Sequence, residues 1–392
     1  MKEIELADRV KQLPPYLFAR ISELIAEKKK AGIDVISLGI GDPDLPTPSH
    51  VLDSLATAAQ KNENHRYPES DGLPALREAI ARWYETRHAV NLDPDSEIVP
   101  LIGSKEGIAH LPLCLINTGD ISLVTDPGYP VYEIGTMFAG GENVRLPLLE
   151  RNDYLPDLGT VSPSDAERAK ILWLNYPNNP TGAIADLHFF EQAIEWANVN
   201  NVVIAHDLAY ADVSFDGYRP PSILEIPGAK DVAIEFNSLS KTFNMTGWRV
   251  AMAVGNAKVI DALTRVKTNI DSGIPQAIQE MAITALNDPR DSIESHNLIY
   301  EKRRDRVLLV LRELGLTVTE PKASLYIWAR LPEDVKSSAE YAADLIDSVG
   351  VVVTPGASYG ENGEGYIRIS LTTPDDRLDE ALVRLQEFDS KR

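Results

Sequence analysis

A chain of 392 residues, 44% hydrophobic and 25% charged, has the composition of a folded, enzyme-sized protein and exceeds one ordinary core, so a large domain with a smaller one is expected. Its formal charge of −21 argues against a nucleic-acid partner, because a phosphate backbone is held by clustered Lys and Arg. Residues 1–5 carry no apolar h-region and no later run reaches about 18 apolar residues, so neither export nor membrane insertion is indicated and the cytoplasm is the expected compartment. The single cysteine, Cys114, excludes an internal disulfide and reads as buried filler among Leu111, Leu113, Leu115 and Ile116.

In chain order, helical spacing runs from Leu17 to Lys30 and stops at Gly32, and Val35-Ile36-Ser37-Leu38 is a short strand. It enters Gly39-Ile40-Gly41-Asp42-Pro43-Asp44-Leu45-Pro46-Thr47-Pro48, too rich in Gly and Pro for a regular element and suited to laying backbone N–H groups against an anion. Tyr67-Pro68-Glu69-Ser70-Asp71-Gly72-Leu73-Pro74 is a turn entering a helix, with Pro74 in its first turn. Val99-Pro100-Leu101-Ile102 then feeds Gly103-Ser104-Lys105-Glu106-Gly107, a strand, a small-residue turn and a helix start whose free N–H groups favour phosphate.

Ile121-Ser122-Leu123-Val124-Thr125 is a strand leading to Tyr129, an aromatic placed where it can stack on a planar ring or pack against the domain wall. Ile171-Leu172-Trp173-Leu174 ends in the crowded turn Asn175-Tyr176-Pro177-Asn178-Asn179-Pro180-Thr181-Gly182. After a helix over about 186–198, Val202-Val203-Ile204-Ala205-His206-Asp207 reads as a buried parallel strand ending in a crevice. A carboxylate there needs a cationic partner, which a pyridinium N–H would supply. His206 either lines that pocket or is a packed histidine.

An apolar run over 232–236 delivers Ser238-Leu239-Ser240-Lys241-Thr242-Phe243-Asn244-Met245-Thr246-Gly247-Trp248-Arg249 at its carboxyl end, where open α/β sheets place ligands. Lys241 can form a Schiff base with an aldehyde cofactor, and Ser238, Ser240 and Arg249 can grip a phosphate. The segment 265–273 is polar and sharply turned before a helix near Pro275, with Asp271 or Ser272 available as a cap. A helix over about 295–314 and short strands over 317–319, 325–328, 351–354 and 365–370 complete the chain. Arg368, in the last of these, presents a fork suited to an α-carboxylate.

The Lys241 motif resembles the cofactor-lysine segment of the fold type I aminotransferases, the aspartate aminotransferase superfamily, and the likeness extends over about residues 15–385. It implies an α/β fold type I transferase: a mixed, mostly parallel large-domain sheet with helices on both faces, and a smaller α/β domain. The expected division is an arm and part of the small domain at 1–45, the large domain at 46–290 and the rest of the small domain at 291–392.

The resemblance implies pyridoxal 5'-phosphate, and no metal. Lys241, Asp207 and Tyr210 are then the catalytic residues: Lys241 holds the cofactor and moves the α-proton, Asp207 meets the ring nitrogen, and Tyr210 meets the phenolic oxygen together with Asn179. Ser104, Lys105, Ser238, Ser240 and Arg249 take the phosphate, Tyr129 covers the ring, and Tyr67 reaches the phosphate of a neighbouring subunit. Gly39, Asn179 and Arg368 meet the substrate carboxylate end. A homodimer with shared sites follows, with an amino-acid donor and a 2-oxo-acid acceptor as partners.

The loops at 39–46, 67–72, 244–249 and 267–273 are similar to those of the LL-diaminopimelate aminotransferase branch, implying transfer from LL-2,6-diaminopimelate to 2-oxoglutarate within lysine biosynthesis, with Ser70 and Asn269 near the distal end of the donor. One departure stands out: members of that branch carry an acid where this chain has Ser70, with Glu69 one place displaced. Aspartate or alanine aminotransferase activity is the main alternative, and another pyridoxal-phosphate lyase or decarboxylase is a further one.

Overall fold

The computed structural model describes residues 4–14, 17–287 and 291–390. Residues 1–3, Pro15 and Tyr16, and the expected boundary at residue 290 lie outside them. At the centre is a seven-stranded sheet whose strands run, edge to edge, Ile98–Leu101, Ala251–Gly255, Ala233–Ser238, Val203–Asp207, Ala169–Asn175, Ile121–Asp126 and Glu142–Pro147. Ala251–Gly255 is antiparallel to both its neighbours and the other pairings are parallel.

Strands covered on both faces read as continuous apolar runs because every side chain meets a core. Ile171 and Trp173 enter one core with Ile234 and Phe236, beneath the helices Ser104–Leu115 and Ala257–Thr268. Leu172 and Leu174 enter the other with Ile204 and Ala233, beneath Pro74–His88 and Leu187–Asn200. Cys114 is half-buried at the first of these layers, and burial pushes its thiol up to about 12, as suits filler. Only Leu146 of the edge strand Glu142–Pro147 is fully buried, so that strand leaves no apolar signature in the sequence.

A four-stranded antiparallel sheet, ordered Thr354–Pro355, Tyr366–Ser370, Tyr326–Arg330 and Thr317–Val318, packs with the helices Asp291–Glu313 and Asp375–Asp389 in a separate core. Ile36–Ser37 pairs in parallel with Val351–Val352, which brings the amino-terminal segment beside the carboxyl-terminal part of the chain. The strand expected over 351–354 is therefore two short ones, serving different sheets. Pro355 has no N–H with which to extend either ladder.

Residues 39–48 form no helix or strand and run between the two cores. Arg303, fully buried on the long helix, clamps this loop: its guanidinium donates to both Asp44 carboxylate oxygens at 2.7 and 2.9 Å, to Leu371 O at 3.1 Å and to Asp375 at 3.1 Å. Farther along the loop, Thr47 Oγ1 donates to Asn244 O at 2.8 Å and accepts from Trp248 Nε1 at 3.2 Å. Arg303→Ala leaves the shielded Asp44 carboxylate without its fork, so a loss of about 3–5 kcal/mol is expected in chemical denaturation. Amide exchange should accelerate over residues 39–48, and Arg303→Lys should recover less than half of the loss, because an ammonium cannot reproduce the planar fork. Wild-type exchange in the loop of Arg303→Ala would refute the clamp.

Candidate active site

The strand Ala233–Ser238 ends at the carboxyl edge of the sheet, and Ser238 caps the short helix Leu239–Thr242 by accepting from Ser240 N at 3.1 Å. That turn projects Lys241 into a cavity of about 290 Å³. Its Nζ donates to Gly41 O at 2.7 Å. Burial of the amine pulls its pKa below the usual lysine range; Tyr326 and Asp42 oppose the shift, while Arg368 and Arg249 reinforce it. A lysine so placed is easier to hold as a free amine, the form that attacks an aldehyde.

One end of the cavity is built for an anion. Ser104 and Lys105 open the helix Ser104–Leu115, and Ser238, Ser240 and Arg249 face them across the cavity. Arg249 adopts a left-handed backbone at φ 56° and donates to Thr246 O at 2.8 Å. Gly103 is required beside it: its own φ is 99°, and a Cβ there would stand 2.1 Å from Arg249 Nη2.

Toward the other end lies Asp207, buried at the last position of its strand. Oδ2 accepts from Tyr132 Oη at 2.8 Å and Oδ1 from Ala209 N at 3.3 Å. Tyr132 is fixed by stacking on Trp173, with centroids 4.7 Å apart and planes at 10°. Burial raises the Asp207 carboxyl above the ordinary range, against the lowering effects of Tyr132, His206 and Ala209 N–H. Among the described residues no ion pair reaches it. A buried carboxylate with neutral hydrogen-bond donors and an open side fits the protonated ring nitrogen of pyridoxal phosphate.

Asparagine side chains tie the neighbouring turn. Asn175 Nδ2 donates to Asp207 O at 2.7 Å while its Oδ1 accepts from Asn179 N at 2.8 Å. Asn178 Oδ1 accepts from Thr181 N at 3.0 Å and Oγ1 at 2.8 Å. Asn179 is thereby presented with Tyr129 and Tyr210 around the cavity.

Arg368 is wholly buried. Nη1 donates to Asn179 Oδ1 at 2.8 Å and Nη2 to Gly39 O at 2.6 Å. These bonds hold the guanidinium behind the cavity, beside Asn179. A planar fork in that place suits a substrate carboxylate.

Ten of the expected site residues therefore line one cavity: Ser104, Lys105, Tyr129, Asn179, Asp207, Tyr210, Ser238, Ser240, Lys241 and Arg249. Gly39 sits behind its wall, where its carbonyl takes Arg368 and, at 2.8 Å, Thr354 Oγ1. Tyr67 is 90% exposed. Ser70 and Asn269 lie off the cavity: Ser70 Oγ donates to Asp271 O at 3.5 Å and Asn269 Nδ2 to Arg265 O at 2.8 Å. Neither Asp271 nor Ser272 caps the following helix, Gln276–Leu286, whose N-cap is Pro275 with no side-chain cap bond; Asp271 instead accepts from Gly273 N and from Lys267 Nζ, each at 2.7 Å, within its own turn. His206 is packed on the opposite sheet face, with Nδ1 2.8 Å from Glu235 Oε2 and Nε2 3.2 Å from Tyr176 O.

Sequence reasoning missed Tyr132, Asn175, Gly41, Asp42, Thr246 and Tyr326. Tyr132 shares no helical face with Tyr129, three residues earlier, because the helix Val131–Phe138 begins between them. Tyr326 gave no signal either, since in Leu325-Tyr326-Ile327-Trp328 it reads as one more core aromatic.

The raised Asp207 carboxyl has a measurable consequence for the cofactor-free protein. A folded pKa above the unfolded value of about 3.9 means that the group's contribution is fully present below that pH and is lost as pH rises through the folded value. Cofactor-free Asp207→Asn is accordingly expected to melt higher than the cofactor-free wild type near neutrality, with the gap closing below about pH 4. Thermal denaturation across pH checks this; a gap independent of pH would contradict it.

A sequence profile of the family "Aminotransferase class I and II" matches residues 33–385. The chain is 56% identical over 388 residues to an LL-diaminopimelate aminotransferase of Dehalococcoides mccartyi, covering 99% of this chain and 100% of the relative. It is 53% identical over 380 residues to the enzyme of that name from Moorella thermoacetica, covering 97% of each. The substrate-bound structure of BacF from Bacillus subtilis superposes with a TM-score of 0.95 at 37% identity, over 99% of this chain and 98% of that one. Its fold, its lysine-centred cavity and these end-to-end similarities show that the chain belongs to the class I and II aminotransferases, enzymes dependent on pyridoxal 5'-phosphate.

Proposed function

We propose that this aminotransferase transfers the amino group of LL-2,6-diaminopimelate to 2-oxoglutarate, in the cytoplasm and as a homodimer with shared sites. The observation that carries the substrate is the identity above 50% to relatives of that name over nearly their full length. In this reading, residues 1–45 and 291–392 form the small domain and 46–290 the large one.

Lys241 holds the cofactor, and Ser104, Lys105, Ser238, Ser240 and Arg249 bind its phosphate, with Tyr67 contributed to the neighbouring subunit. Tyr129 covers the ring, Asn179 and Tyr210 hold its oxygen, and Asp207 keeps its nitrogen protonated. When bound, pyridoxal phosphate supplies the electron sink that makes the α-proton of an amino acid removable. Arg368, with Asn179 and the Gly39 segment, orients the α-carboxylate. That would bring the α-carbon hydrogen toward Lys241 Nζ, whose burial makes it less basic than an ordinary lysine and so better suited to accept and return a proton.

Ser70 and Asn269 serve the distal ammonium-carboxylate end in the neighbouring site. Support comes from their packing within one subunit: a Cβ on Gly273 would stand 3.0 Å from Glu69 O and 3.1 Å from Ser70 Cα, so the two turns form one surface. The Ser70 substitution favours aspartate or alanine aminotransferase activity as the second reading, because a hydroxyl cannot neutralise a distal ammonium as an acid does.

Borohydride reduction of the holoenzyme followed by peptide mapping is expected to find the pyridoxyl adduct on Lys241, and Lys241→Ala should lose the visible absorbance and turnover together; an adduct mainly on another lysine would refute the assignment. For the substrate, transfer to 2-oxoglutarate is measured side by side from LL-diaminopimelate, its meso isomer, aspartate and alanine. The LL isomer is expected to lead. Rapid aspartate or alanine turnover with none from LL-diaminopimelate would establish the second reading instead.

A further inference from the structure

Tyr326 stands where the two halves of this cavity meet, and none of the roles above uses it. It is buried on the strand Tyr326–Arg330 of the four-stranded sheet, yet it lines the same cavity as Asp207, which ends a strand of the seven-stranded sheet, and Lys241, on the short helix that follows another. Its hydroxyl lies 3.1 Å from that of Tyr210, and the two rings meet edge to face with centroids 5.5 Å apart. The guanidinium carbon of Arg368 lies 3.9 Å from the centre of its ring, within the range of a desolvated cation–π contact.

The loop makes room for this ring. A Cβ on Gly41 would fall 2.1 Å from Tyr326 Oη and 2.4 Å from its Cε1, so only glycine allows the phenol to lie across the backbone whose carbonyl accepts from Lys241. One side chain thus touches the residue assigned to the ring oxygen, the residue assigned to the carboxylate and the loop segment that meets the lysine. Burial alone would raise the phenol's pKa, but Arg368 and Lys241 beside it, with the Tyr210 hydrogen bond, bring it below the ordinary tyrosine range. That direction suits a hydroxyl that gives up hydrogen-bonding density readily to its partner.

We propose that Tyr326 is a positioning residue with two separable functions: its ring is the platform that holds the Arg368 fork in plane toward the substrate carboxylate, and its hydroxyl orients the Tyr210 phenol toward the cofactor's ring oxygen. The inference rests on the roles proposed above for Arg368 and Tyr210. It extends them by coupling carboxylate capture on one sheet to the electronics of the cofactor on the other.

The two functions separate by substitution in the holoenzyme. Tyr326→Phe keeps the platform and removes the hydroxyl. The pH midpoint of the visible absorbance is expected to rise by about half a unit or more, because Tyr210 is freed to turn from an oxygen whose deprotonated form it stabilises. The KM for 2-oxoglutarate should stay within about threefold. Tyr326→Leu removes the platform as well, and both that KM and the Kd of glutarate, an unreactive dicarboxylate titrated by calorimetry, should rise about tenfold with cofactor retained. Circular dichroism monitors folding, and Tyr326→Met replaces Leu if Leu does not fold.

Arg368→Ala is the reference. If it leaves glutarate binding unchanged, the carboxylate reading itself fails. If Arg368→Ala weakens glutarate while the platform variants bind it as wild type does, and Tyr326→Phe leaves the spectral midpoint unmoved, the positioning role of Tyr326 is overturned and the carboxylate reading stands. A purely structural Tyr326 would lower melting temperature without moving the midpoint or splitting KM between Phe and Leu.

Discussion

Two ionisable side chains of opposite sign, Asp207 and Arg368, are buried near the meeting of the sheets. Asp207 is held by a tyrosine hydroxyl and a backbone N–H, and Arg368 by an asparagine oxygen and a glycine carbonyl. Burying an ionisable group is costly, and neutral hydrogen bonds recover only part of that cost. The surrounding order exists to hold these groups apart. Stacked Trp173 fixes Tyr132, Asn175 fixes both the Asp207 backbone and the Asn179 turn, and Tyr326 and Tyr359 flank Arg368 with ring-to-guanidinium distances of 3.9 and 4.9 Å. In the proposed reading the two groups serve different molecules, Asp207 the ring nitrogen of the cofactor and Arg368 the carboxylate of the substrate, and a site whose polar groups are fixed in advance need not reorganise when they bind.

The loop at 39–48 carries the other half of this arrangement. Its carbonyls accept from Lys241 and Arg368, its Gly41 admits the Tyr326 phenol, and its Asp44 is locked to Arg303. Loop entropy would otherwise oppose so many backbone contacts in one irregular stretch. The buried fork of Arg303 and the pairing of Ile36–Ser37 with Val351–Val352 anchor the loop from the side of the smaller sheet, while Thr47, Asn244 and Trp248 anchor it from the larger.

Much of this was legible in the residue order. The parallel strands announce themselves as apolar runs ending in Asp207, Asn175 and Ser238, because a strand covered on both faces has no polar side to interrupt it. Glu142–Pro147 escaped because an edge strand buries little. The Asn-rich turn was recognisable, but not that Asn175 rather than Asn179 bridges to the next strand. His206, left open between pocket and core, lies in the core because neighbours on a strand point to opposite faces and Asp207 takes the cavity side.

The sequence by itself determined the chemistry available: a lysine after a strand among serines and an arginine, an acid at a crevice and an arginine on an alternating strand. These are local patterns, set by where a strand ends and a helix begins, and ten such residues converge on one cavity. Only the tertiary structure decided which residues orient them. Tyr132, Tyr326 and Arg303 act across 75, 116 and 259 positions of chain on Asp207, Tyr210 and Asp44. Nothing in their own neighbourhoods distinguishes them from ordinary core aromatics or a helix-surface arginine, since contact between distant segments depends on how two sheets pack and not on spacing along either one.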